Sequence, residues 1–580
     1  MALDQQKTTV SGAEHLVRTL ERLGVDHAFN IVGLGLFPLA EALYAHRNRI
    51  RYVSALNETN LALIANGFAR AQRSAAFVNV YHASGTALGM MAVTTAWAEQ
   101  VPLVYTTTTS SRELAGRDQY AAVPRAATEM SGQFVKWSCE VPNAARIPEI
   151  LARAFQIANT PPFGPVHVAI PMDVWKEQVE DRSDAIRPLQ LFGNACAETR
   201  ALDALESMLR WADRPIIVAG AEVGRYGGFD ALVELVEATG VAAASEDKVS
   251  DLGFPTTHPQ FIGKLGSNRD FLRASDAAIL WGVEMTESGL TERIDLAGTT
   301  TAVVSADPSA LTRQVRADVA VLGAAGPTLD ALAARFRENP LDETVRRARR
   351  HAAEERHRER AERAEAIRRI RFDAPELAIG RIVTEIVEAM PADTIIVNHC
   401  ASGEPFVEEL VAVADPSGFY GISSKASAQG WGGPAAIGVQ LANPGRRVVA
   451  ILGDGGFMFS STAVYAAAQL RTPVVFVVLN NGGWRDIAAL ARVANSPLVD
   501  AEREFGWEFS EPSIAHADFA ASFGLDARRV HTATELRAAL ERAARADAPS
   551  LIEVMNSRED ADEFSRVFTQ SPGLPRSPTR

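Results

Sequence analysis

Two apolar runs, separated by the length of one helix, constrain the fold of this chain most. They are residues 448–452, which end at Gly453-Asp454-Gly455-Gly456, and residues 474–479, which end at Asn480-Asn481-Gly482-Gly483. Residues 464–470 between them are typical of a helix. The pattern predicts a strand-helix-strand unit with parallel strands. Polar residues that follow both strands should therefore meet at the carboxyl edge of one sheet, where ligands bind in such folds.

Asp454 and Asn481 are the residues that this arrangement would bring together. A hard cation such as Mg²⁺ takes oxygen ligands, including carboxylates, phosphate oxygens and water. One carboxylate, one amide oxygen and one loop carbonyl would leave coordination positions for a diphosphate. Gly-Asp-Gly alone also occurs in ordinary strand-to-helix turns, but the Asn-Asn pair after the very next strand makes the combination much more specific.

The combination resembles the signature of thiamin diphosphate enzymes, in which Gly-Asp-Gly is followed one strand later by Asn-Asn. The resemblance implies that the side chains of Asp454 and Asn481 bind Mg²⁺ and that Gly483 supplies a carbonyl as the third protein ligand. It also implies that Gly453, Gly455 and Gly456 contact the cofactor diphosphate, the last two through backbone N–H groups.

Composition narrows the class of protein. The chain has 580 residues, which is enough for three or four domains, and its 47% apolar and 22% charged residues are typical of a globular protein. A net charge of −13 argues against nucleic-acid and anionic-membrane partners. Scattered cysteines, with neither a signal peptide nor a membrane span in the sequence, indicate a cytoplasmic protein.

Helical patterns alternate with short apolar strands along nearly the whole chain. This predicts an α/β protein with three sequential doubly wound parallel-sheet domains. The expected parts are a pyrimidine-binding domain at 1–185, a middle domain at 196–340, a charged linker helix at 341–375, a diphosphate-binding domain at 376–560 and a disordered tail at 561–580.

The linker segment, residues 345–371, is crowded with Arg and Glu. Its basic runs could be taken for a nucleic-acid site. The glutamates largely offset the arginines, however, so a solvated helix with ion pairs one turn apart is the better interpretation.

A second half of the site comes from the first domain. In thiamin diphosphate enzymes a carboxylate of that domain activates the cofactor's aminopyrimidine, usually across a subunit interface. Glu58, between a short strand and a helix, matches this residue, although a Glu in the first helical turn is often only favourable to the helix dipole. Asn57 departs from the pattern, because relatives commonly carry His there. The resemblance implies a homodimer or homotetramer with active sites at the subunit interface.

Residues 82–86, His-Ala-Ser-Gly-Thr, resemble the His-Ser-Ala-Ala-Gly-Thr segment of benzoylformate decarboxylases. The histidine of that segment is an active-site acid/base, and His82 matches it. A lone His is more often structural, but one at a strand end in this fold would face the cofactor cleft. The likeness to benzoylformate decarboxylases extends over nearly the whole chain.

Two positions depart from the benzoylformate decarboxylase pattern. Leu34 stands where those enzymes carry a substrate-binding Ser. Gln429, directly before Gly430, stands where relatives place an apolar residue between the two cofactor rings. Because of both departures, the resemblance does not identify which 2-oxoacid is the substrate.

Two further residues match cofactor contacts. Ser402 follows a predicted strand and matches a diphosphate-binding hydroxyl, with a helix N-cap as the equal alternative. Trp484 follows the metal loop, where it would narrow the substrate pocket, although ordinary core packing is about as common for a tryptophan.

The resemblance implies non-oxidative decarboxylation of a small 2-oxoacid to an aldehyde, with thiamin diphosphate and Mg²⁺. An acetolactate synthase-like carboligase that forms acyloins is the first alternative, and a C–C hydrolase of a cyclic diketone is a more distant one. A non-catalytic member of the fold is disfavoured by the intact Glu58, Asp454 and Asn481. FAD, which some relatives hold in the middle domain, is a further candidate cofactor that the sequence does not support.

Overall fold

A computed structural model describes residues 8–114, 117, 125–187, 195–284, 296–313, 315–423, 425–493, 496–498, 506–509 and 511–558. The predicted tail at 561–580 lies outside these residues. The described residues form two compact units. The first comprises those of Met1–Gly193, Ala428–Pro444 and Ser460–Thr472, and the second those of Asn194–Ser427, Gly445–Phe459 and Pro473–Arg580.

In the N-terminal region, the described residues form eight strands and five helices. The strands are β1 (Thr9–Ser11), β2 (His27–Asn30), β3 (Arg51–Val53), β4 (Ala76–Tyr81), β5 (Leu103–Thr109), β6 (Ser138–Glu140), β7 (Pro165–Pro171) and β8 (Gln178–Glu180). The helices are α1 (Gly12–Arg22), α2 (Phe37–Ala45), α3 (Glu58–Gln72), α4 (His82–Ala98) and α5 (Ile147–Ala158). Six strands form a parallel sheet in the order β3-β2-β4-β5-β7-β6, while β1 and β8 pair separately in antiparallel fashion.

The middle region repeats the architecture. Its strands are β9 (Pro215–Ala219), β10 (Ala242–Ser245), β11 (Phe261–Lys264), β12 (Ala277–Trp281), β13 (Thr300–Ser305) and β14 (Val319–Leu322). Its helices are α6 (Thr199–Trp211), α7 (Ala221–Arg225), α8 (Phe229–Thr239), α9 (Arg269–Arg273) and α10 (Ala325–Glu338). The parallel sheet has the order β11-β10-β9-β12-β13-β14.

The charged segment forms one helix of 27 residues, α11 (Glu343–Arg369). Ion pairs one turn apart line it, as in Arg369–Glu365 at 2.6 Å. It is less solvated than predicted, because Arg349 and Arg360 are buried. Arg349 donates to the carbonyl of Leu209 at 2.9 Å. The helix is therefore partly a packed element of the second unit.

The C-terminal region supplies the third sheet. Its strands are β15 (Ile395–His399), β16 (Phe419–Tyr420), β17 (Val448–Gly453), β18 (Val475–Asn480), β19 (Asp526–Val530) and β20 (Ser550–Met555). Its helices are α12 (Ile379–Ala389), α13 (Glu404–Leu410), α14 (Gly432–Ala442), α15 (Asp454–Met458), α16 (Ala463–Leu470), α17 (Arg485–Val493), α18 (His516–Ala521) and α19 (Ala533–Arg545). The six parallel strands have the order β16-β15-β17-β18-β20-β19.

The three parallel sheets explain the apolar runs of the sequence. Strands covered by helices on both faces need apolar side chains at every position, and β5, β7, β9 and β18 are buried along their whole length. The predicted α/β fold with three parallel sheets is confirmed. No described helix combines the length and the apolar composition that a membrane crossing would need.

Helices α3 and α14 belong to the first unit and touch backbone to backbone. A β-carbon on Gly67 would lie 2.2 Å from the carbonyl oxygen of Ala435, and one on Gly438 would lie 2.0 Å from that of Ile64. Both distances are far below van der Waals contact, so each position requires the absence of a side chain. The contact keeps the helix that begins at Glu58 tightly packed.

Candidate active site

The metal loop lies at the carboxyl edge of the third sheet. Strands β17 and β18 pair in parallel with Gly453 opposite Leu479, so Asp454 and Asn481 emerge at the same edge. Both residues are buried, with 3% and 7% of their surface exposed. The predicted meeting of these two residues at one sheet edge is therefore what the structure shows.

Asp454 begins the short helix α15, and its carboxylate organises the loop. Its Oδ1 accepts the N–H of Gly455 at 2.7 Å, and its Oδ2 accepts those of Gly482 at 2.9 Å and Gly483 at 3.1 Å. Burial raises the pKa of Asp454 to about 6, although these three N–H groups oppose the shift. A buried anion in this state would be stabilised by a cation.

Asn481 fits the metal that the loop would hold. Its Oδ1 is buried and has no hydrogen-bond partner among the described residues. An orphaned amide oxygen beside a buried carboxylate is a suitable donor pair for Mg²⁺. The described chain contains no group of three or more His, Cys, Asp or Glu that could hold a metal by itself. The residues present fit Mg²⁺ with thiamin diphosphate, whose phosphate oxygens could supply further ligands.

Ser402 lies at the end of the neighbouring strand, β15. It sits in a short turn, Ala401–Gly403, and is buried. Its Oγ lies 3.7 Å from Sγ of Cys400, which in turn lies 3.9 Å from where a β-carbon of Gly453 would be. The N-cap of the following helix α13 is Gly403, so Ser402 does not cap it. The alternative role as an N-cap is therefore wrong.

The indole ring of Trp484 packs against Gly455 of the metal loop. A β-carbon on Gly455 would lie only 2.1 Å from its Nε1. The ring centroid of Trp484 lies 5.0 Å from that of Phe509 and 6.3 Å from that of Phe459. Trp484 is 37% exposed and Phe459 is 52% exposed, so neither is a core residue. The sequence pattern did not indicate that Phe459 and Phe509 would pack around Trp484.

Glu58 is the first residue of α3 and is half-buried. The side chain of Asn57 caps this helix by accepting the N–H of Asn60 at 2.8 Å. A β-carbon on Gly85 of α4 would lie 2.6 Å from Oε1 of Glu58, so this glycine creates the space that the carboxyl group occupies. Burial, and secondarily the charge of Glu58, raise the pKa of nearby Tyr105.

Asn57, which departs from the family pattern, has a structural role in this chain. Besides capping α3, its Nδ2 donates to Oγ1 of Thr462 at 3.2 Å, and Nδ2 of Asn60 donates to the same oxygen at 2.8 Å. Thr462 is the N-cap position of α16. Asn57 therefore joins the start of α3 to the start of α16 within the first unit.

His82 lies at the junction of β4 and α4 in a strained conformation. It begins the 17-residue helix, with φ of 56°. It is 1% exposed, and burial lowers the pKa of its imidazole. A neutral imidazole at the amino end of a helix can accept or relay a proton. Strain of this kind is typical of functional sites.

Buried polar side chains form a chain of hydrogen bonds that begins at the backbone of His82. The carbonyl of His82 accepts a hydrogen bond from Oγ1 of Thr86 at 2.7 Å, and Oγ1 of Thr86 lies 2.9 Å from Oγ1 of Thr107. The ring of His167 then bridges Thr107 at 2.8 Å and Oγ of Ser131 at 2.7 Å. The strained residue is thus held by a continuous network of hydrogen bonds.

Leu34 and Gln429, the two departures from the family pattern, also lie in the first unit. Leu34 is 66% exposed, and the loop before it packs on Tyr81, because a β-carbon on Gly33 would lie 2.8 Å from that ring. The side chain of Gln429 is exposed. Gly430 follows with φ of 85°, and its carbonyl accepts Oγ of Ser460 at 2.6 Å.

The site residues thus fall into two sets. Glu58, His82, Gln429 and Gly430 belong to the first unit, and Ser402, Gly453, Asp454, Gly455, Gly456, Asn481, Gly483 and Trp484 belong to the second. The first set offers a carboxyl group and a neutral imidazole. The second set offers a cradle for a metal and a diphosphate.

Comparison with known protein families assigns each region of the chain. Residues 10–130 match the thiamine pyrophosphate enzyme N-terminal TPP binding domain, residues 202–332 the central domain, and residues 403–554 the C-terminal TPP binding domain.

Individual relatives match over nearly their full length. The chain is 31% identical to the benzoylformate decarboxylase of Pseudomonas aeruginosa over 94% of this chain and 98% of the relative. It is 25% identical to a probable acetolactate synthase large subunit of Methanococcus aeolicus over 94% of this chain and 92% of that one. The solved structure of a thiamine diphosphate-dependent 4-hydroxybenzoylformate decarboxylase from Rhodococcus jostii superposes with a TM-score of 0.81 at 25% identity, covering 94% and 99% of the two chains. The chain therefore belongs to the thiamine pyrophosphate enzymes, within the superfamily of the benzoylformate decarboxylases and acetolactate synthases.

Proposed function

We propose that this protein is a thiamin diphosphate- and Mg²⁺-dependent enzyme that decarboxylates a 2-oxoacid without oxidation and releases an aldehyde. The likeness to the benzoylformate decarboxylase of P. aeruginosa over 94% of the chain carries the proposal. It is supported by the presence of both chemical half-sites. These are Glu58, whose carboxyl group occupies the space beside Gly85, and the buried pair of Asp454 and Asn481.

Each half-site has a distinct task. Thiamin diphosphate, when bound, supplies the ring that accepts the electrons left behind by the departing CO₂. Asp454, the Oδ1 of Asn481 and the carbonyl of Gly483 would hold the metal. Ser402 and the glycines Gly453, Gly455 and Gly456 would contact the diphosphate, while Gln429 and Gly430 would contact the organic part of the cofactor. Trp484 would close one side of the substrate pocket.

Proton handling is assigned to the first unit. The carboxyl group of Glu58 would hold a proton against the pyrimidine nitrogen of the cofactor. The imidazole of His82 is neutral near pH 7 because burial lowers its pKa, so it can take a proton and return it to the product.

A homodimer or homotetramer with shared active sites follows from the same proposal. Exposed apolar side chains surround Glu58. Leu56 is 52% exposed, and Leu88 is 50% exposed, with its carbonyl accepting Oγ1 of Thr59 at 2.7 Å. Apolar surface beside a functional carboxyl group supports its coverage by a second copy. The three cysteines form no disulfide, which supports a cytoplasmic location.

We also propose the domain boundaries 1–185, 196–340, 341–375 and 376–560. They are supported by the grouping of strands, since each of the three six-stranded sheets draws its strands from one of these ranges.

Carboligation is the second candidate function. The probable acetolactate synthase of M. aeolicus matches 94% of this chain, and every residue assigned above could serve acyloin formation equally well. Cleavage of a cyclic diketone by water is the third candidate. It is motivated by the exposed Leu34 and Gln429, which replace residues that benzoylformate decarboxylases use for substrate and cofactor.

Product analysis separates decarboxylation from carboligation. The purified protein with Mg²⁺ and thiamin diphosphate is supplied with aliphatic, branched and aromatic 2-oxoacids, singly and in pairs, and CO₂, aldehydes and acyloins are quantified. We expect CO₂ and aldehyde in equal amounts from at least one acid, and none from a Glu58→Gln control. Exclusive formation of acetolactate-type products, or failure to bind thiamin diphosphate with Mg²⁺, would contradict the proposal.

A further inference from the structure

Beneath the metal loop lies a buried carboxylate that the proposed function leaves unused. Glu553 in β20 is 0% exposed. Its Oε1 accepts Nδ2 of Asn480 at 2.7 Å, and its Oε2 accepts the N–H of Ala517 at 2.9 Å and Nε of Arg529 at 3.1 Å. Burial alone would raise the pKa of Glu553, but these hydrogen bonds lower it. The group is therefore an anion that can only accept hydrogen bonds.

Asn480 connects this anion to the metal loop. Because Glu553 cannot donate, the NH₂ group of Asn480 must face it, and the amide oxygen must face the other way. That oxygen accepts the N–H of Gly482 at 3.1 Å, and the same N–H also donates to Oδ2 of Asp454 at 2.9 Å. Gly482 has φ of 74°, so hydrogen bonds hold the loop in a conformation that few residues adopt.

We propose that Glu553 is a positioning residue for the metal, acting through Asn480 to fix the loop that presents Asp454 and Asn481. The inference rests on the Mg²⁺ site of the proposed function. It means that metal binding also requires a residue that is neither a metal ligand nor a cofactor contact. Residues that orient metal ligands in this way typically contribute about 10- to 100-fold to metal affinity.

The proposal can be tested by exchanging the donor and the acceptor of the hydrogen bond between Asn480 and Glu553. Asn480→Asp places a carboxylate against Glu553, and Glu553→Gln places an amide against the amide of Asn480. In the double variant the new amide can donate to the new carboxylate, which still accepts the N–H of Gly482. Binding of Mn²⁺, as a spectroscopic substitute for Mg²⁺, is measured with thiamin diphosphate present.

We expect each single change to weaken Mn²⁺ binding by about 10-fold or more, and the double change to restore most of it. Arg528→Met is the matched control, because Arg528 is the neighbour of Arg529 in β19 and pairs with Asp526 at 3.2 Å. Equal weakening in the control, or unchanged binding in both single variants, would overturn the proposal. Metal binding does not depend on turnover, so this result is independent of whether the protein decarboxylates 2-oxoacids.

A different observation concerns the middle sheet. Strand β9 lies between β10 and β12, so the chain order reverses there. Nucleotides bind at such a point in doubly wound sheets, with phosphate oxygens on the free N–H groups beyond the strands. This is the region in which the FAD of some relatives would be expected.

Here side chains of the protein occupy N–H groups of the described residues at this point. The carboxyl group of Glu246 accepts the N–H of Ala221 after β9 at 3.0 Å and that of Glu284 after β12 at 2.8 Å. The carboxyl group of Glu222 accepts the N–H of Ala306 after β13 at 2.9 Å and Oγ of Ser305 at 2.7 Å. Both glutamates are buried. Two protein carboxyl groups thus take the hydrogen bonds that a phosphate would need.

The described part of the crevice is also closely packed, and the charge of its buried Arg225 is already paired with Asp251 at 2.6 Å and Glu284 at 3.3 Å. A β-carbon on Gly282 would lie 2.3 Å from Cβ of Glu222, so the backbone is already in contact with that side chain. Burial raises the pKa of Glu246 to about 8, and the neighbouring Glu284 adds to the shift. This shift shows that negative charge is unfavourable in the crevice, so a phosphate would be unfavourable there too.

We infer that Glu246 and Glu222 close the nucleotide crevice of the middle domain and that the protein takes no flavin. The disagreement with FAD-binding relatives thus has a structural cause. Carboxyl groups of this chain link the ends of β9, β12 and β13 at the point where a nucleotide would bind.

Nucleotide binding tests this inference without any turnover. The purified protein should show no flavin absorbance near 450 nm, and titration with FAD or ADP in a calorimeter should give no saturable heat. Glu246→Ala frees two N–H groups, so inorganic sulfate should raise the melting temperature of this variant more than that of wild type. Glu234→Ala, at a half-exposed position of α8, is the control and should respond as wild type does. Stoichiometric FAD in the wild type, or an equal sulfate response in all three proteins, would overturn the inference.

Discussion

Oε1 of Glu58 lies 2.6 Å from the position that a β-carbon would take on Gly85. The proposed activating carboxyl group therefore occupies space that is free only because position 85 on the facing helix has no side chain. Gly85→Ala should push Glu58 away and lower kcat by about 100-fold, the usual cost of a misplaced catalytic group. The helix itself should persist, because Ala favours helices more than Gly does.

The control for this change is Gly445→Ala, where a β-carbon would meet nothing within 4 Å. Steady-state kinetics and circular dichroism of both variants check the result. Full activity in Gly85→Ala would show that the position of Glu58 is not critical.

Shared active sites can be detected by mixing inactive subunits. Glu58→Ala and Asp454→Ala should each abolish activity. If Glu58 serves the cofactor held by Asp454 of the partner, each hybrid dimer regains one intact site, and random mixing should restore about a quarter of wild-type activity. The measurement is activity after co-expression or dissociation and reassembly. No recovery in verified hybrids would place both residues in one subunit's site.

His167 should make the first unit sensitive to acid. Burial lowers its pKa from an ordinary 6.5 to about 3, so the unfolded chain binds the proton more tightly than the native protein does. The stability contributed by the neutral ring is fully present above pH 6.5. It is lost as the pH falls towards 3, by at most about 1.4 kcal/mol per pH unit.

Urea unfolding of wild type and His167→Gln at pH 7.5 and 5 checks this expectation. The variant should be less stable at pH 7.5, and the difference from wild type should shrink at pH 5. His531→Gln, at an exposed position, should leave the pH dependence unchanged. A difference that grows as the pH falls would contradict the assignment of a neutral buried ring.

The role of the His82 imidazole can be tested separately from the strain in the backbone of that residue. Asn tolerates positive φ better than most residues, so His82→Asn should keep the junction of β4 and α4 while removing the imidazole. We expect kcat to fall by about 10²- to 10⁴-fold, with thiamin diphosphate binding nearly unchanged. Turnover and cofactor binding are measured on the same preparation. An unchanged kcat would assign His82 a purely structural role.

The parts of the fold that local pattern determines could be predicted from the sequence. Apolar runs mark buried parallel strands wherever they occur, and parallel strands place their following residues at one edge. This reasoning located Asp454 and Asn481 together, and it placed Glu58 at the start of α3. Each of these inferences needs only a strand, its ending and the residue that follows it.

Contacts between distant segments could not be predicted in the same way. Asn480 and Glu553 are 73 positions apart, and Asn57 and Thr462 are 405 apart. A buried Glu in a strand and a threonine before a helix have no distinctive local pattern. Their roles arise from packing, which also determines why Gly85 must be a glycine and which aromatic rings accompany Trp484.

The backbone contact between α3 and α14 limits how this enzyme could be recombined with its relatives. Gly67 and Gly438 let the two helices approach so closely that neither can be exchanged alone for a helix of different surface shape. A chimaera that takes its amino-terminal half from one homologue and its carboxyl-terminal half from another would separate two partners that fit only each other. Productive crossover points should therefore be those that transfer α3 and α14 together.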